Sequence, residues 1–145
     1  LACSRSALPQ QAFEMTCRKD AMQTCKLLEN LEFHDSRSLA EPLLVHERGR
    51  VIRFSLRAGQ HIREHRAPHS SVHIVVVRGT GFFAGEDGAK ERAGAGDVVV
   101  FGAGELHRVR AETDLVFAAI LEPAPPPQVR AAPQPEADAY LTWQM

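Results

Sequence analysis

Between residues 40 and 122 the chain consists of short apolar runs separated by glycine-containing turns. The segment RVIRFSL alternates, with Ile52, Phe54 and Leu56 on one face and arginine or Ser55 on the other. Such alternation is the pattern of a half-buried β-strand. Many short strands with no helical pattern between them predict an all-β sandwich or barrel. The other runs are SVHIVVV, GFFAG, DVVVF, HRVRA and DLVFAAIL, with turn signals RGTG, GEDG, GAGAGD and GAGE between them.

The 145 residues fit one domain with flanking segments. Residues 1–39 are predicted to form an N-terminal extension, in which apolar positions between residues 9 and 31 indicate a short amphipathic helix. Residues 40–122 are the predicted barrel. Residues 123–145 begin with a proline-rich stretch that cannot join a sheet, and they are predicted to form an extended tail.

Charge and hydropathy exclude several classes of partner. A net charge of −1 gives no reason to expect nucleic acid. No apolar run approaches the roughly 18 residues needed to cross a membrane. Three cysteines without a CxxC pair favour a cytoplasmic location. Residues 74–77 and 98–101 are apolar on both strand faces, so a helix from the N-terminus or a second copy of the protein is expected to cover the outer face. A homodimer is the preferred interpretation.

Histidines recur at every fourth position between residues 61 and 73. Pro68 lies within this run and would break a helix, so the segment is predicted to be a strand, a loop and a second strand. His61, Arg63 and His65 then share one strand face. From the residues alone two interpretations stay open. Histidines from different strands converge on a metal, or they are surface and hydrogen-bonded side chains.

Two longer patterns surround these histidines. Residues 59–79 read glycine, five residues, His-x-Ala, four residues, valine, six residues, glycine. Residues 96–111 read glycine, five residues, Gly-x-Gly, two residues, histidine, three residues, alanine. Both resemble the two motifs of small single-domain cupins of the RmlC-like jelly-roll type, and the resemblance covers about residues 45–122. It implies a double-stranded β-helix barrel, here with a short N-terminal helix.

The resemblance also implies a metal site. Cupins of this type usually hold a metal with two histidines, a glutamate and a third histidine, and His65 and His107 match the first and last positions. Ala67 and Val72 occupy the other two, so half of the ligand set is replaced.

Two nearby histidines are the substitutes in this interpretation. His69 lies in the predicted loop, and His73 would need a bulge to point inward. The predicted metal ligands are therefore His65, His69, His73 and His107. The expected cofactor is a divalent transition metal (iron, zinc, nickel, copper or manganese), or none.

The predicted substrate pocket uses four further residues. Arg63 suits a carboxylate or phosphate of a small-molecule ligand, and His61 lies beside it at the barrel mouth. Phe54 and Phe101 form apolar walls. The predicted function is small-molecule binding at a histidine-held metal, with a dioxygenase-like or isomerase-like activity. The alternative is a non-enzymatic cupin that binds or senses a small ligand without metal.

Overall fold

The computed structural model describes residues 21–123, which form nine antiparallel strands and no helix. The strands form two sheets, one of five strands in the order β1-β2-β9-β4-β7 and one of four in the order β3-β8-β5-β6. The predicted all-β jelly-roll barrel is confirmed. The strands are β1 (Leu39–His46), β2 (Gly49–Leu56), β3 (His61–His65), β4 (Ser71–Arg78), β5 (Thr80–Ala84), β6 (Lys90–Gly94), β7 (Val98–Phe101), β8 (His107–Ala111) and β9 (Leu115–Glu122).

The predicted N-terminal helix falls only partly on the described residues. Residues 9–20 lie outside them, and residues 21–31 contain bends and a turn but no helix. In the same described part of the chain, no helix is long and apolar enough to cross a membrane. The predicted tail lies outside the described residues beyond Pro123.

The core fills the space between the two sheets. Alternate residues of each strand point inward, and Ile52, Phe54 and Leu56 of β2 are almost completely buried, as the alternation predicts. Phe117 of β9 stacks on Phe54 at a ring-centroid distance of 5.0 Å and meets the edge of Phe83 at 5.7 Å. This aromatic contact joins the two sheets, since Phe83 belongs to β5.

The chain crosses from one sheet to the other at Gly79, between β4 and β5. Its φ angle of +77° lies in the left-handed region, and a Cβ atom there would lie 1.9 Å from the carbonyl oxygen of Asp114. Any larger residue would clash with the backbone, so this motif glycine is required by the fold.

Arg53 fixes the segment before β1 against the outer face of the five-stranded sheet. Its guanidinium donates hydrogen bonds to the backbone carbonyls of Leu27, Glu29 and Asn30 and to the carboxylate of Glu41. The side chain is only 3% exposed although it lies on the outward face of β2. Residues 27–30 therefore cover the outer face of β2 around Arg53.

Replacing Arg53 with methionine is expected to lower the free energy of unfolding by about 2 kcal/mol, because the carbonyls lose a charged donor. Urea unfolding monitored by circular dichroism measures the loss. Arg92→Met is the control, since Arg92 pairs with Glu112 at the surface and its removal is expected to cost less than about 1 kcal/mol. Equal losses in the two variants would contradict this role of Arg53.

Candidate ligand-binding site in the barrel interior

His65 and His107 meet inside the barrel. They are direct partners in the pairing of β3 with β8, and their ring centroids lie 4.3 Å apart with the planes inclined at 60°. His65 is 8% exposed and His107 is 3% exposed. Buried imidazoles on adjacent strands are an arrangement that serves binding more readily than packing, because polar rings cost free energy inside an apolar core.

A β-bulge in β3 sets the direction of His65. The register slips between Ile62 and His65, so Arg63 and Glu64 together oppose one residue of β8. Ile62 and His65 both point inward, whereas Arg63 and Glu64 are exposed. Without the bulge, strict alternation after Ile62 would bring Glu64 into the interior and turn His65 outward.

Backbone carbonyls fix the tautomer of both rings. Nδ1 of His65 lies 2.7 Å from the carbonyl oxygen of Arg63, and Nδ1 of His107 lies 2.9 Å from that of Glu105. A carbonyl oxygen only accepts hydrogen bonds, so Nδ1 carries the proton in each ring. In the neutral form Nε2 is then the nitrogen with the lone pair.

His107 is held in its neutral form. Its pKa is lowered to about 4, mainly by burial and then by the nearby charge of His65, while the hydrogen bond to the Glu105 carbonyl and the charge of Glu105 act in the opposite direction. Phe101 stacks on the ring at a centroid distance of 4.5 Å and an interplanar angle of 12°. The imidazole therefore acts as a hydrogen-bond acceptor or a metal ligand, and not as a cation, at neutral pH.

The space beside the two rings is small and otherwise apolar. The cavity has a volume of about 10 Å³, which is room for about one water molecule. No carboxylate, amide or hydroxyl side chain lines it in the described part of the chain. The lining residues are Phe54, Ile62, His65, Val72, Ile74, His107, Val109, Phe117 and Ala119.

The two replaced motif positions are part of this apolar interior. Ala67 is 2% exposed and Val72 is 3% exposed, and Val72 lines the cavity beside His65 and His107. Residues 21–123 contain no group of three or more His, Cys, Asp or Glu side chains that could hold a metal ion. Catalytic zinc and iron sites normally use three protein ligands, so this pair does not fit a catalytic mononuclear centre.

His69 and His73 lie apart from the pair. His69 is exposed in the loop between β3 and β4. His73 pairs with Val100 and Ile120 and lies between the inward-facing Val72 and Ile74, so it is on the outer face, where its Nε2 is 3.2 Å from the Ser71 hydroxyl. The bulge of β4 occurs between Val76 and Arg78, too far along the strand to turn His73 inward.

Of the four predicted pocket residues, the two phenylalanines lie inside the barrel and the other two lie outside it. Phe54 lines the cavity, whereas Phe101 does not line it and instead stacks on the ring of His107. His61 and Arg63 lie on the outer face of β3, where they line a separate groove, because the bulge breaks the parity that linked them to His65. The structure adds Val109 to the lining of the cavity, and the alternation of HRVRA is the signal that places this residue on the same strand face as His107.

The comparisons with known proteins agree on one protein family. A family model described as a cupin domain matches residues 52–121. A crystal structure of an RmlC-like cupin protein from Desulfovibrio desulfuricans is 31% identical, covers 72% of this chain and 99% of its own, and superposes with a TM-score of 0.67.

Two more distant structures share the fold. An uncharacterized protein with a double-stranded β-helix domain from Klebsiella pneumoniae is 18% identical over 71% of this chain and 91% of its own, with a TM-score of 0.65. The protein TT1209 from Thermus thermophilus is 19% identical over 72% of this chain and 100% of its own, with a TM-score of 0.66. The search of curated proteins gave no significant match.

Proposed function

Because the chain belongs to the cupin family, we propose that it binds a small ligand inside the barrel through His65 and His107. The observation that supports this proposal is the pair of Nδ1–H groups bonded to backbone carbonyls, which leaves Nε2 of neutral His107 as an acceptor nitrogen. The lining of the cavity provides no general acid or base besides the two imidazoles. Binding without turnover is therefore the function favoured here.

The properties of the cavity limit the ligand. Nε2 of neutral His107 accepts a hydrogen bond and does not attract an anion, so the ligand presents a donor such as a hydroxyl or amine group. The remaining wall is apolar, which suits an alkyl or aryl group next to that donor. A ligand larger than a few atoms requires the side chains around Phe54 and Phe117 to move apart.

A metal-dependent enzyme, dioxygenase-like or isomerase-like, is the second candidate. Metal-ligating histidines usually donate their other N–H to a carbonyl or carboxylate, and both histidines of the pair do so. Iron, zinc, nickel, copper or manganese bound here would have two protein ligands, because Ala67 and Val72 contribute none. This interpretation stays a prediction.

Metal analysis and ¹⁵N NMR distinguish the two candidates. The protein purified without chelators is expected to contain far less than one metal ion per chain. At pH 7 both buried rings are expected as Nδ1–H tautomers, and methanol, a small hydrogen-bond donor, is expected to shift the Nε2 resonance of His107. The exposed His61 is the internal control, with a much smaller shift.

One result would reverse this conclusion. Stoichiometric metal that is lost in both His65→Ala and His107→Ala, but kept in His61→Ala, would support the metal-dependent enzyme instead. The binding proposal also fails if methanol shifts the resonances of His107 and His61 equally.

Two further predictions concern the whole chain. The edge strand β7 exposes Val98 and Val100, which are 60% and 55% accessible, and the outward valines of the adjacent β4 are only half buried. This apolar edge is the surface that a homodimer would cover. The homodimer and the cytoplasmic location both stay predictions.

A further inference from the structure

A second concave surface lies on the outer face of the four-stranded sheet. It is a groove of about 560 Å³ formed by side chains of β3, β8, β5 and β6. His65 and His107 point to the opposite side of the same sheet, so they do not line the groove. Its volume falls within the roughly 300–1,000 Å³ typical of small-molecule sites.

Four cationic side chains and one carboxylate line this groove. The cations are Arg63, Lys90, Arg108 and Arg110, and the carboxylate is Glu64. The chain as a whole has a net charge of −1, so positive charge is concentrated here. Like charges on neighbouring strands repel one another, and a bound anion would relieve that repulsion.

The guanidinium groups of the groove have no partner in the described part of the chain. Arg63, Arg108 and Arg110 form no side-chain hydrogen bond or ion pair with another residue of the range 21–123. Arginines elsewhere do pair, as Arg57 does with Asp114 and Arg92 with Glu112. Glu64 accepts no ion pair from the arginines although it lies beside Arg63 in the bulge.

The floor of the groove is apolar. Phe82 and Ala84 pair directly with Arg110 and Arg108 in the sheet, so the aromatic ring and the methyl group lie between the cations. Lys90 Nζ is 4.4 Å from the centroid of the Phe82 ring, which keeps this ammonium over the floor. A ligand with an organic body and charged ends would match this combination of surfaces.

We propose that the outer groove of the four-stranded sheet binds a small organic anion with at least two acidic groups, which Arg108 and Arg110 hold as the principal contacts. Guanidinium groups recognise carboxylates and phosphates through paired, charge-assisted hydrogen bonds. Polycarboxylates and phosphate compounds share this chemistry. The groove and the interior site lie on opposite faces of the four-stranded sheet.

Isothermal titration calorimetry at constant ionic strength tests the proposal with citrate and inorganic pyrophosphate as probes. The wild-type protein is expected to bind at least one probe with a dissociation constant below about 1 mM. Arg108→Gln/Arg110→Gln is expected to weaken that binding at least about tenfold, because each arginine contributes a charge-assisted contact. The stronger probe indicates whether carboxylate or phosphate chemistry is preferred.

A matched control removes the same charge elsewhere. Arg48→Gln/Arg66→Gln replaces two exposed arginines that do not line the groove, and it is expected to keep wild-type affinity. A cooperative thermal unfolding transition, measured for both double variants, is the check that they are folded. The proposal is overturned if neither probe binds, if both double variants lose affinity equally, or if a 20-nucleotide single-stranded DNA binds while citrate and pyrophosphate do not.

Discussion

Replacing Val72 with glutamate is expected to turn the barrel interior into a divalent-metal site. Val72 lines the cavity beside His65 and His107, and it occupies the position where cupins that bind a metal usually carry a glutamate. Glutamate is longer than valine and the cavity has a volume of only about 10 Å³, so the neighbouring side chains have to adjust to the new carboxylate. The introduced carboxylate and the two imidazoles would then provide three protein ligands, the number that catalytic iron and zinc sites use.

The effect on stability is expected to depend on metal. Without metal the buried carboxyl has no partner of opposite charge, and burial raises its pKa, which costs on the order of 3 kcal/mol at pH 7. Free zinc at 100 times its dissociation constant is expected to raise the unfolding free energy of this variant by about 2.7 kcal/mol. For a domain of this size the melting temperature rises on the order of 10 °C. Differential scanning calorimetry with and without zinc measures both effects.

Two variants separate coordination from other effects of the new side chain. Val72→Gln has the same shape without the charge, and zinc is expected to raise its melting temperature by only a few degrees, as in the wild type. Val100→Glu places a carboxylate on the exposed edge strand, where 55% of the residue is accessible. A zinc response of the wild type equal to that of Val72→Glu would show that two histidines already suffice.

The unfolding free energy of the wild-type protein is expected to fall by about 3 kcal/mol between pH 6.5 and pH 4 because of His107 alone. Burial lowers the pKa of this histidine from 6.5 to about 4. Between these values the unfolded chain binds a proton at His107 and the folded chain does not, so acid favours unfolding. The contribution of neutral His107 to the unfolding free energy is fully present above pH 6.5. The difference between its unfolded pKa of 6.5 and its folded pKa of about 4 limits this contribution to about 3 kcal/mol.

Urea unfolding at several pH values checks this prediction, with His107→Gln as the variant that cannot titrate. The variant is expected to be less stable at pH 7 but to lose less stability between pH 6.5 and pH 4. Lowered pKa values of Glu112 and Asp114 add acid sensitivity to both proteins, so the difference between them is the informative quantity. His46→Gln, at an exposed position, should keep the wild-type slope. Parallel pH profiles for wild type and His107→Gln would contradict the prediction.

The fold was predictable because the alternation of β8 and the inward positions of β2 are kept in the structure, although Arg53 and Ser55 on the other face of β2 are buried as well. Ile52, Phe54 and Leu56 are buried as their spacing indicates, and so are His107 and Val109. A period of two reports directly on which face of a strand is buried. The motif glycines added the turn positions, of which Gly79 is the most constrained.

The site was only partly predictable because one bulge changed the parity of β3. Counting from His65 places His61 and Arg63 in the interior, but the extra residue at 63–64 leaves both outside. A bulge has no strong signature in a single sequence when no glycine marks it. The outer groove was missed for the same reason, since the alternation counted from His65 assigns Arg63 to the interior.

The bulge also makes Arg63 common to both compartments. Its side chain lines the outer groove, while its carbonyl oxygen accepts the Nδ1–H of His65 inside the barrel. The wall between the two compartments is therefore one peptide unit thick at this point. We therefore expect that an anion which displaces the Arg63 backbone outside the barrel also moves the carbonyl oxygen that orients the His65 ring inside it.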